Sequence, residues 1–258
     1  MLRESLKKHY IGMNKEFRFR GEEPGRLENF SDAIFALAIT LLLISTSPPG
    51  NFNQIKRFLY DLLPFALCMT LLIMIWAEHN TFFLRYGLRN SKIIFLNTLF
   101  LMIVLFYVYP LKFLTRLLEI PMAMITGDQT LLDELTSTIS NKDMGDLMIV
   151  YGLGAASVFF VLMWMYRYAL SVADELELNE IERFDTRAKI TSNLLMGLVP
   201  MFSVVLALIF RGSWLAGIIS GFAYFLYTPV MLIYGNTVEK KRNKLLTPET
   251  ETSLMSEQ

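Results

Sequence analysis

Six long apolar stretches, separated by short polar segments, dominate the hydrophobic pattern of this chain. A helix needs roughly 20 predominantly apolar residues to cross a bilayer core about 30 Å thick, and each stretch is about that long. The pattern therefore predicts an all-α membrane protein with six transmembrane helices in each subunit. The predicted spans cover residues 27–46, 58–83, 93–113, 146–168, 190–210 and 213–236.

The polar breaks between these stretches predict the connections. Ser47-Pro48-Pro49-Gly50 ends the first helix, and Arg211-Gly212 leaves room only for a tight antiparallel hairpin between the fifth and sixth. Residues 114–145 predict a long, mixed outer loop. We expect residues 171–187 to extend the fourth helix as a charged, solvated segment, and the tail after Lys244 to be disordered.

Lysine and arginine are divided unevenly between the predicted loops, and this asymmetry predicts the orientation. With the N-terminus in the cytoplasm, the cytoplasmic segments hold 18 of the 24 basic residues and the opposite side holds six. We therefore expect both termini to be cytoplasmic. The predicted organisation is a cytoplasmic N-terminal segment (1–25), a six-helix transmembrane domain (26–237) and a cytoplasmic tail (238–258).

Composition supports the membrane assignment and argues against other classes. Hydrophobic residues make up 53% of the chain and its mean hydropathy is +0.41, both above the usual globular range. The formal net charge is zero, so nothing suggests a nucleic-acid partner. Cys68 is the single cysteine and lies in an apolar run, where we expect it to pack. Without a phosphate loop, metal box or nucleophile motif, we expect neither an enzyme nor a bound cofactor.

A carboxylate at the start of the first apolar stretch is the main candidate for chemistry. Asp32 lies about five residues into that helix, where an unpartnered charge costs a few kcal/mol. At 1.5 Å per residue, His79 and Asn97 fall within about a turn of the same height. If the first three helices pack together, one hydrogen-bonded layer can form from Arg26, Ser31, Asp32, Trp76, His79 and Asn97. In the simpler alternative, Trp76 belongs to the interfacial aromatic belt and His79 is a structural residue.

The same helix carries bulky apolar residues on one face. Leu37, Leu41 and Ile44 follow one another at i, i+4 and i+7, with Thr40 beside them. Such a stripe can line a pore, but a leucine face on a membrane helix is more commonly packed or exposed to lipid. Thr40 in turn commonly bonds back to a carbonyl of its own helix.

The pattern Arg-x-x-x-Phe-Ser-Asp that opens the first helix resembles the transmembrane protein 175 family of endosomal and lysosomal potassium-permeable channels and their prokaryotic homologues. It consists here of Arg26, Phe30, Ser31 and Asp32. Trp76-x-x-His79 in the second helix and Asn97 in the third are similar to the same family's pattern. The resemblance in motifs covers residues 26–110, and the remaining helices agree in number, length and topology.

The resemblance implies an assembly and a role for each motif residue. A single copy of the motif corresponds to the prokaryotic form, a homotetramer in which the first helix lines a central pore. By position, Leu37, Leu41 and Ile44 would form the constriction, with Thr40 as a polar selectivity layer. The implied structural network on the cytoplasmic side comprises Arg26, Phe30, Ser31, Asp32, Trp76, His79 and Asn97.

These expectations combine into a potassium-permeable, voltage-independent cation channel in the plasma membrane, which needs no cofactor beyond the permeating potassium ion. The chain lacks a Thr-Val-Gly-Tyr-Gly filter and the repeated arginines of a voltage sensor. A ring of apolar side chains can instead gate a pore by dewetting. The alternative is a proton-coupled secondary transporter that uses Asp32 or His79 as a relay, although no paired set of broken helices supports it.

Overall fold

In the computed structural model, residues 17–44, 52–127, 129, 143–213 and 215–255 are described. These residues form helices and turns, without a strand among them, which confirms the all-α prediction for this part of the chain. Each predicted span overlaps one helical segment. The helices are α1 (Arg26–Ile44), α2 (Phe52–Tyr86), α3 (Ser91–Thr126), α4 (Asp143–Ser171), α5 (Glu180–Ile209), α6 (Leu215–Phe222) and α7 (Tyr227–Met255), the last two joined by a 3-10 turn (Ala223–Leu226).

Five segments of the described chain are long and apolar enough to cross a membrane. The α6, 3-10 and α7 elements together supply one of them, as predicted for the sixth span. The first helix is not among the five, so its role as a sixth span stays a prediction. The five segments are Phe65–Tyr86, Ser91–Val108, Asp143–Ser171, Glu180–Ile209 and Leu215–Leu246.

The helices pack in an order that places α1 against α2 and α3, while α3 also contacts α4. The most extensive pair is α4 with α5. A β-carbon at Gly152 of α4 would lie 2.4 Å from Val204 Cγ2 and 2.9 Å from the Pro200 carbonyl oxygen of α5. A small residue is therefore required for this close approach, which is how helices gain contact where lipid supplies no hydrophobic drive between them.

Aromatic side chains fill the interior where α2, α3 and α4 meet. Phe82 and Tyr166 are fully buried and meet edge to face, with ring centres 5.2 Å apart. Cys68 is also buried, and its thiol donates to the Leu111 carbonyl oxygen at 3.6 Å. The expectation that this cysteine packs in the interior is confirmed.

The prediction for residues 171–187 was wrong. Instead of extending α4, the chain leaves the helix at Ser171, turns, and begins α5 at Glu180. Asn179 caps α5, because its side chain accepts from the Glu182 amide while the Glu182 carboxylate accepts from the Asn179 amide. Glu182, Asp185 and Thr186 are buried rather than solvated. Charge density alone suggested solvent, but these side chains find partners in distant segments.

Two helices run farther than the hydrophobic pattern predicted. α3 continues to Thr126, through the first part of the predicted 114–145 loop, and α7 continues to Met255, through most of the tail predicted to be disordered. Hydropathy marks where a helix can leave the bilayer, whereas the helix itself ends where its hydrogen bonding ends. Residues 130–142, in the remainder of the predicted loop, lie outside the described residues, as do 1–16, 256–258 and residues 45–51, which include the predicted stop of the first helix.

Candidate functional site

Helix α1 has one face packed into the subunit and an opposite face left open. Ser31, Phe35 and Ala38 are at most 3% exposed, whereas Phe30 is 60% and Leu37 48% exposed. Because a helix turns by about 100° per residue, Arg26, Phe30, Leu37 and Thr40 share the unpacked side, which we call the open face of α1. The single subunit therefore fixes α1 from behind and leaves this face without a neighbour among the described residues.

A buried hydrogen-bond chain links α1 to α2 and α3. Asn97 Nδ2 donates to Ser31 Oγ at 2.9 Å, and Ser31 Oγ donates to the Leu27 carbonyl oxygen at 2.8 Å. Asn97 Oδ1 lies 2.6 Å from His79 Nε2. Since Asn97 uses its amide nitrogen toward Ser31, its oxygen is an acceptor and His79 Nε2 must carry the hydrogen. All three side chains are at most 2% exposed, and the two bonds that join the helices are buried.

Asp32 has a separate partner. Trp76 Nε1 donates to Asp32 Oδ1 at 2.7 Å, which gives the carboxylate one hydrogen bond from α2. The Asp32 side chain itself stays exposed at the edge of the subunit. The structure thus brings five of the seven predicted network residues together, as a buried triad (Ser31, His79, Asn97) and a peripheral pair (Asp32, Trp76).

Arg26 and Phe30 do not join that layer within one subunit. Both are exposed, because they lie on the open face of α1 rather than on the face that meets α2 and α3. A residue that the sequence reasoning missed, Glu28, faces inward instead and is 8% exposed. Its carboxylate accepts from the Gly25 amide at 3.0 Å and from Arg89 Nε at 3.0 Å. An acidic residue in the first turn of a helix is a recognisable capping signal, so Glu28 could have been found.

The predicted constriction residues do not all lie on the open face of α1. Leu37 lies on the open face, and so does Thr40, whose hydroxyl donates to the Ala36 carbonyl oxygen at 2.8 Å. Leu41 is partly buried and packs against the subunit core. The side chain of Ile44 lies outside the described residues. The Thr40 bond uses its hydrogen and leaves oxygen lone pairs free as acceptors.

A second polar cluster, which the sequence did not suggest, fastens residues 17–25 to the start of α5. We call these residues the N-terminal strap. The Arg18 amide donates to Glu182 Oε1 at 2.8 Å, and Arg20 Nη2 donates to Glu182 Oε2 at 2.8 Å. The Glu182 side chain is fully buried, and its charge is balanced by the guanidinium groups of Arg18 and Arg20, whose Nη2 atoms lie 3.1 Å and 2.8 Å from Oε2. The hydrogen bond from the Arg18 guanidinium to the Glu182 carboxylate, together with the negative charge of that carboxylate, raises the pKa of the Arg18 guanidinium.

The strap also lies unusually close to the end of α2. A β-carbon at Gly21 would lie 2.2 Å from the Phe83 carbonyl oxygen, and Gly87, at φ +59°, faces the Arg20 carbonyl oxygen across the same contact. The Gly21 amide donates to the Leu84 carbonyl oxygen at 3.1 Å. Glycine is required on both sides of this approach, which seats the strap directly before α1 begins.

Further charged contacts tie α5 to its neighbours. Lys189 Nζ lies 2.7 Å from Glu78 Oε1 of α2, and Arg242 Nε of α7 lies 3.0 Å from Asp185 Oδ1. The second pair uses Asp185, a residue of the segment predicted to be solvated. Within the described residues there is no group of three or more His, Cys, Asp or Glu side chains placed to hold a metal ion.

Comparison with known protein families finds a match in the part of the chain that carries the motifs. The model of the family described as endosomal/lysosomal potassium channel TMEM175 matches residues 26–107. A potassium channel from Marivirga tractuosa is 44% identical over 238 residues, which are 92% of this chain and 96% of that protein. Potassium channels from Chamaesiphon minutus and Streptomyces collinus are each 28% identical, over 41% and 38% of this chain and 56% and 50% of theirs.

A solved structure resembles most of this chain. It is the crystal structure of a threonine-to-alanine variant of the potassium channel MtTMEM175 in complex with a nanobody–MBP fusion protein, with a TM-score of 0.80 and 43% sequence identity. The match covers 89% of this chain and 100% of that chain. The relatives are named as ion channels and not as enzymes. Together with the five membrane-length segments, these similarities indicate a multi-pass membrane protein.

Proposed function

This chain belongs to the endosomal/lysosomal potassium channel TMEM175 family, and from that premise we propose that it forms a potassium-permeable, voltage-independent cation channel. The proposed assembly is a homotetramer of six-span subunits in the plasma membrane, with both termini in the cytoplasm. The names of the relatives support potassium as the permeating ion. The excess of lysine and arginine on one side of the predicted topology supports the orientation.

The observation that carries this proposal is the open face of α1. Leu37 is 48% exposed on it although the opposite face of the same helix is packed into the subunit core. A half-exposed leucine beside a polar threonine suits a position between subunits better than one facing lipid alone. If four subunits turn this face toward a common axis, Leu37 and Thr40 line the passage along that axis.

The proposed gate is hydrophobic. Rings of Leu37, Leu41 and Ile44 would form narrow apolar constrictions that exclude water and ions when closed and become wet when slightly widened. Thr40 would supply a ring of hydroxyl oxygens between them, since its hydrogen is already used by the Ala36 carbonyl. Such oxygens favour the ion that loses its hydration shell more readily, which is potassium.

The buried triad of Ser31, His79 and Asn97 has a positioning role in this proposal. Its bonds run from α1 to α2 and α3, so they set the rotation of α1 about its axis and hence the direction of the open face. The triad lies behind α1 and not on the open face, which separates it from the proposed ion path. Arg26 and Phe30 lie on the open face and are proposed to contact neighbouring subunits.

Potassium flux from proteoliposomes tests the proposed pore. We expect Leu37→Ala to raise potassium flux severalfold, because a smaller side chain widens the constriction and keeps it wet. The same variant should reduce the preference for potassium over sodium. Leu41→Ala should act in the same direction. The matched control is Leu198→Ala, a leucine on α5 with a similar exposure of 47%, which should leave both quantities unchanged.

Wild-type flux and selectivity in both α1 variants would overturn the assignment of α1 to the pore. Flux that saturates with potassium and follows an imposed proton gradient would indicate the secondary transporter instead, with Asp32 or His79 as the relay.

A further inference from the structure

A groove opens on the surface between the first turn of α3 and the last turn of α4. It has a volume of about 390 Å³ and is lined by Ser91, Lys92, Phe95, Leu96 and Tyr168. Apolar atoms form most of its wall, yet its lining contains one cation, Lys92, and no carboxylate. This combination suits a ligand with an apolar part and a negatively charged head.

Two polar side chains of the groove, Lys92 and Tyr168, lie next to each other and can donate hydrogen bonds. The Lys92 ammonium lies 5.3 Å from the centre of the Tyr168 ring. The Tyr168 hydroxyl oxygen accepts from Asn90 Nδ2 at 2.5 Å, so its own hydrogen is left for a different acceptor. An ammonium group and a hydroxyl hydrogen on neighbouring side chains are donors that a phosphate group accepts from.

The position of the groove along the helices indicates where its ligand comes from. One membrane-length segment begins at Ser91 and another ends at Ser171, so the groove lies where two neighbouring helices leave the apolar layer. Phe95, one turn deeper than Lys92, is 68% exposed and extends the apolar wall in the direction of the bilayer interior. A headgroup at Lys92 would therefore leave an acyl chain along Phe95 and Leu96.

We propose that this groove binds an anionic phospholipid, with its phosphate at Lys92 and Tyr168 and one acyl chain against Phe95 and Leu96. The charge of the groove selects the anionic headgroup, and the membrane boundary supplies the lipid. In the predicted orientation the groove faces the cytoplasmic leaflet, and basic pockets between helices on that side are suited to such headgroups. The proposal rests on the proposed membrane topology but not on ion conduction.

Lipid retention by the purified protein tests this site. The detergent-solubilised full chain is incubated with phosphatidylglycerol or with phosphatidylcholine of the same acyl chains, and bound lipids are counted by native mass spectrometry. We expect wild type to retain phosphatidylglycerol severalfold better than phosphatidylcholine. Lys92→Gln should lose most of this preference, and Lys92→Arg should keep it because the positive charge remains.

The matched control is Lys240→Gln, another exposed lysine, on α7, which should retain phosphatidylglycerol like wild type. Equal retention of the two lipids by wild type, or an undiminished preference in Lys92→Gln, would overturn the proposal. Retention of neither lipid would also overturn it. Because the measurement needs no ion flux, loss of lipid binding and loss of channel activity are distinguishable.

Discussion

The His79 side chain is packed between aromatic rings and is also hydrogen-bonded to a neighbouring helix. Its ring stacks on Phe100 at a centroid distance of 5.1 Å and lies 4.9 Å from the Phe83 ring. Its Nε2 hydrogen bonds to Asn97, the residue that in turn reaches Ser31 on α1. An imidazole can relay protons, but these contacts favour a structural role for His79, as a packed and hydrogen-bonded side chain between α1, α2 and α3.

Replacing His79 by alanine should reduce stability and assembly more than ion conduction. The variant leaves Asn97 Oδ1 buried without a donor, which costs about 1–3 kcal/mol, and the empty volume adds to that loss. We expect the oligomer to have a clearly lower melting temperature, which is measured by size-exclusion chromatography of samples heated to increasing temperatures. Thr98→Ala is the control, because Thr98 is exposed and bonds only to its own helix at Ile94.

If the His79→Ala oligomer melts at the wild-type temperature, the triad does not position α1. If it melts earlier but the surviving protein shows normal potassium selectivity, the separation between anchor and ion path is supported.

At the scale of elements, the N-terminal strap connects α1 to the start of α5, two helices that are far apart in the sequence. It precedes α1 directly and is bonded to Glu182 at the start of α5. Its Phe17 ring is buried against Arg85, whose guanidinium carbon lies 4.6 Å from the ring centre. The start of the proposed pore helix is thereby tied to a helix far from it in sequence.

Glu182→Gln should release the strap. A neutral amide cannot balance two guanidinium groups, whereas its oxygen can still accept from the Asn179 amide and keep the cap of α5. We expect the amides of residues 17–21 to exchange hydrogen at least several times faster, as measured by hydrogen–deuterium exchange mass spectrometry of the strap peptide.

Glu180→Gln provides a matched control, because Glu180 is an exposed glutamate in the same turn of α5. Unchanged exchange in the strap of Glu182→Gln would show that the glycine contact with α2 alone keeps it in place. In that case the ion pairs would have no holding role.

At the scale of the whole molecule, one subunit presents large apolar side chains that it does not itself cover. Phe30 and Leu37 on α1 and Met74 on α2 are between 48% and 60% exposed. Lipid can cover such surfaces on the outside of a membrane protein. On α1, however, the exposed positions alternate with Arg26 and Thr40, a mixture that suits contact with other subunits and a water-filled axis.

Light scattering combined with size-exclusion chromatography should give a protein mass of four chains of 29.8 kDa. Electron cryomicroscopy of the same particle should then show a fourfold axis with α1 nearest to it. A protein mass of one or two chains, or another helix on the axis, would contradict the proposed tetramer.

The amino-acid sequence by itself determined the helical class, the approximate places of the spans and the motif residues of α1, α2 and α3. These properties depend on local hydropathy and spacing, which a single chain displays directly. It also contains two local signals for helix ends, the Asn179–Glu182 cap of α5 and Glu28 in the first turn of α1.

Only the tertiary structure decided which polar groups meet and which way each face points. Glu182 is buried because Arg18 and Arg20 reach it from more than 160 residues away, a pairing that no local pattern encodes. Arg26 and Phe30 belong to the motif but turn away from the triad, because the packing of α1 on α2 and α3 fixes its rotation. Hydropathy is a local property that can be read from the sequence. The pairing of distant charged side chains and the rotation of each helix about its axis depend instead on how distant helices pack together.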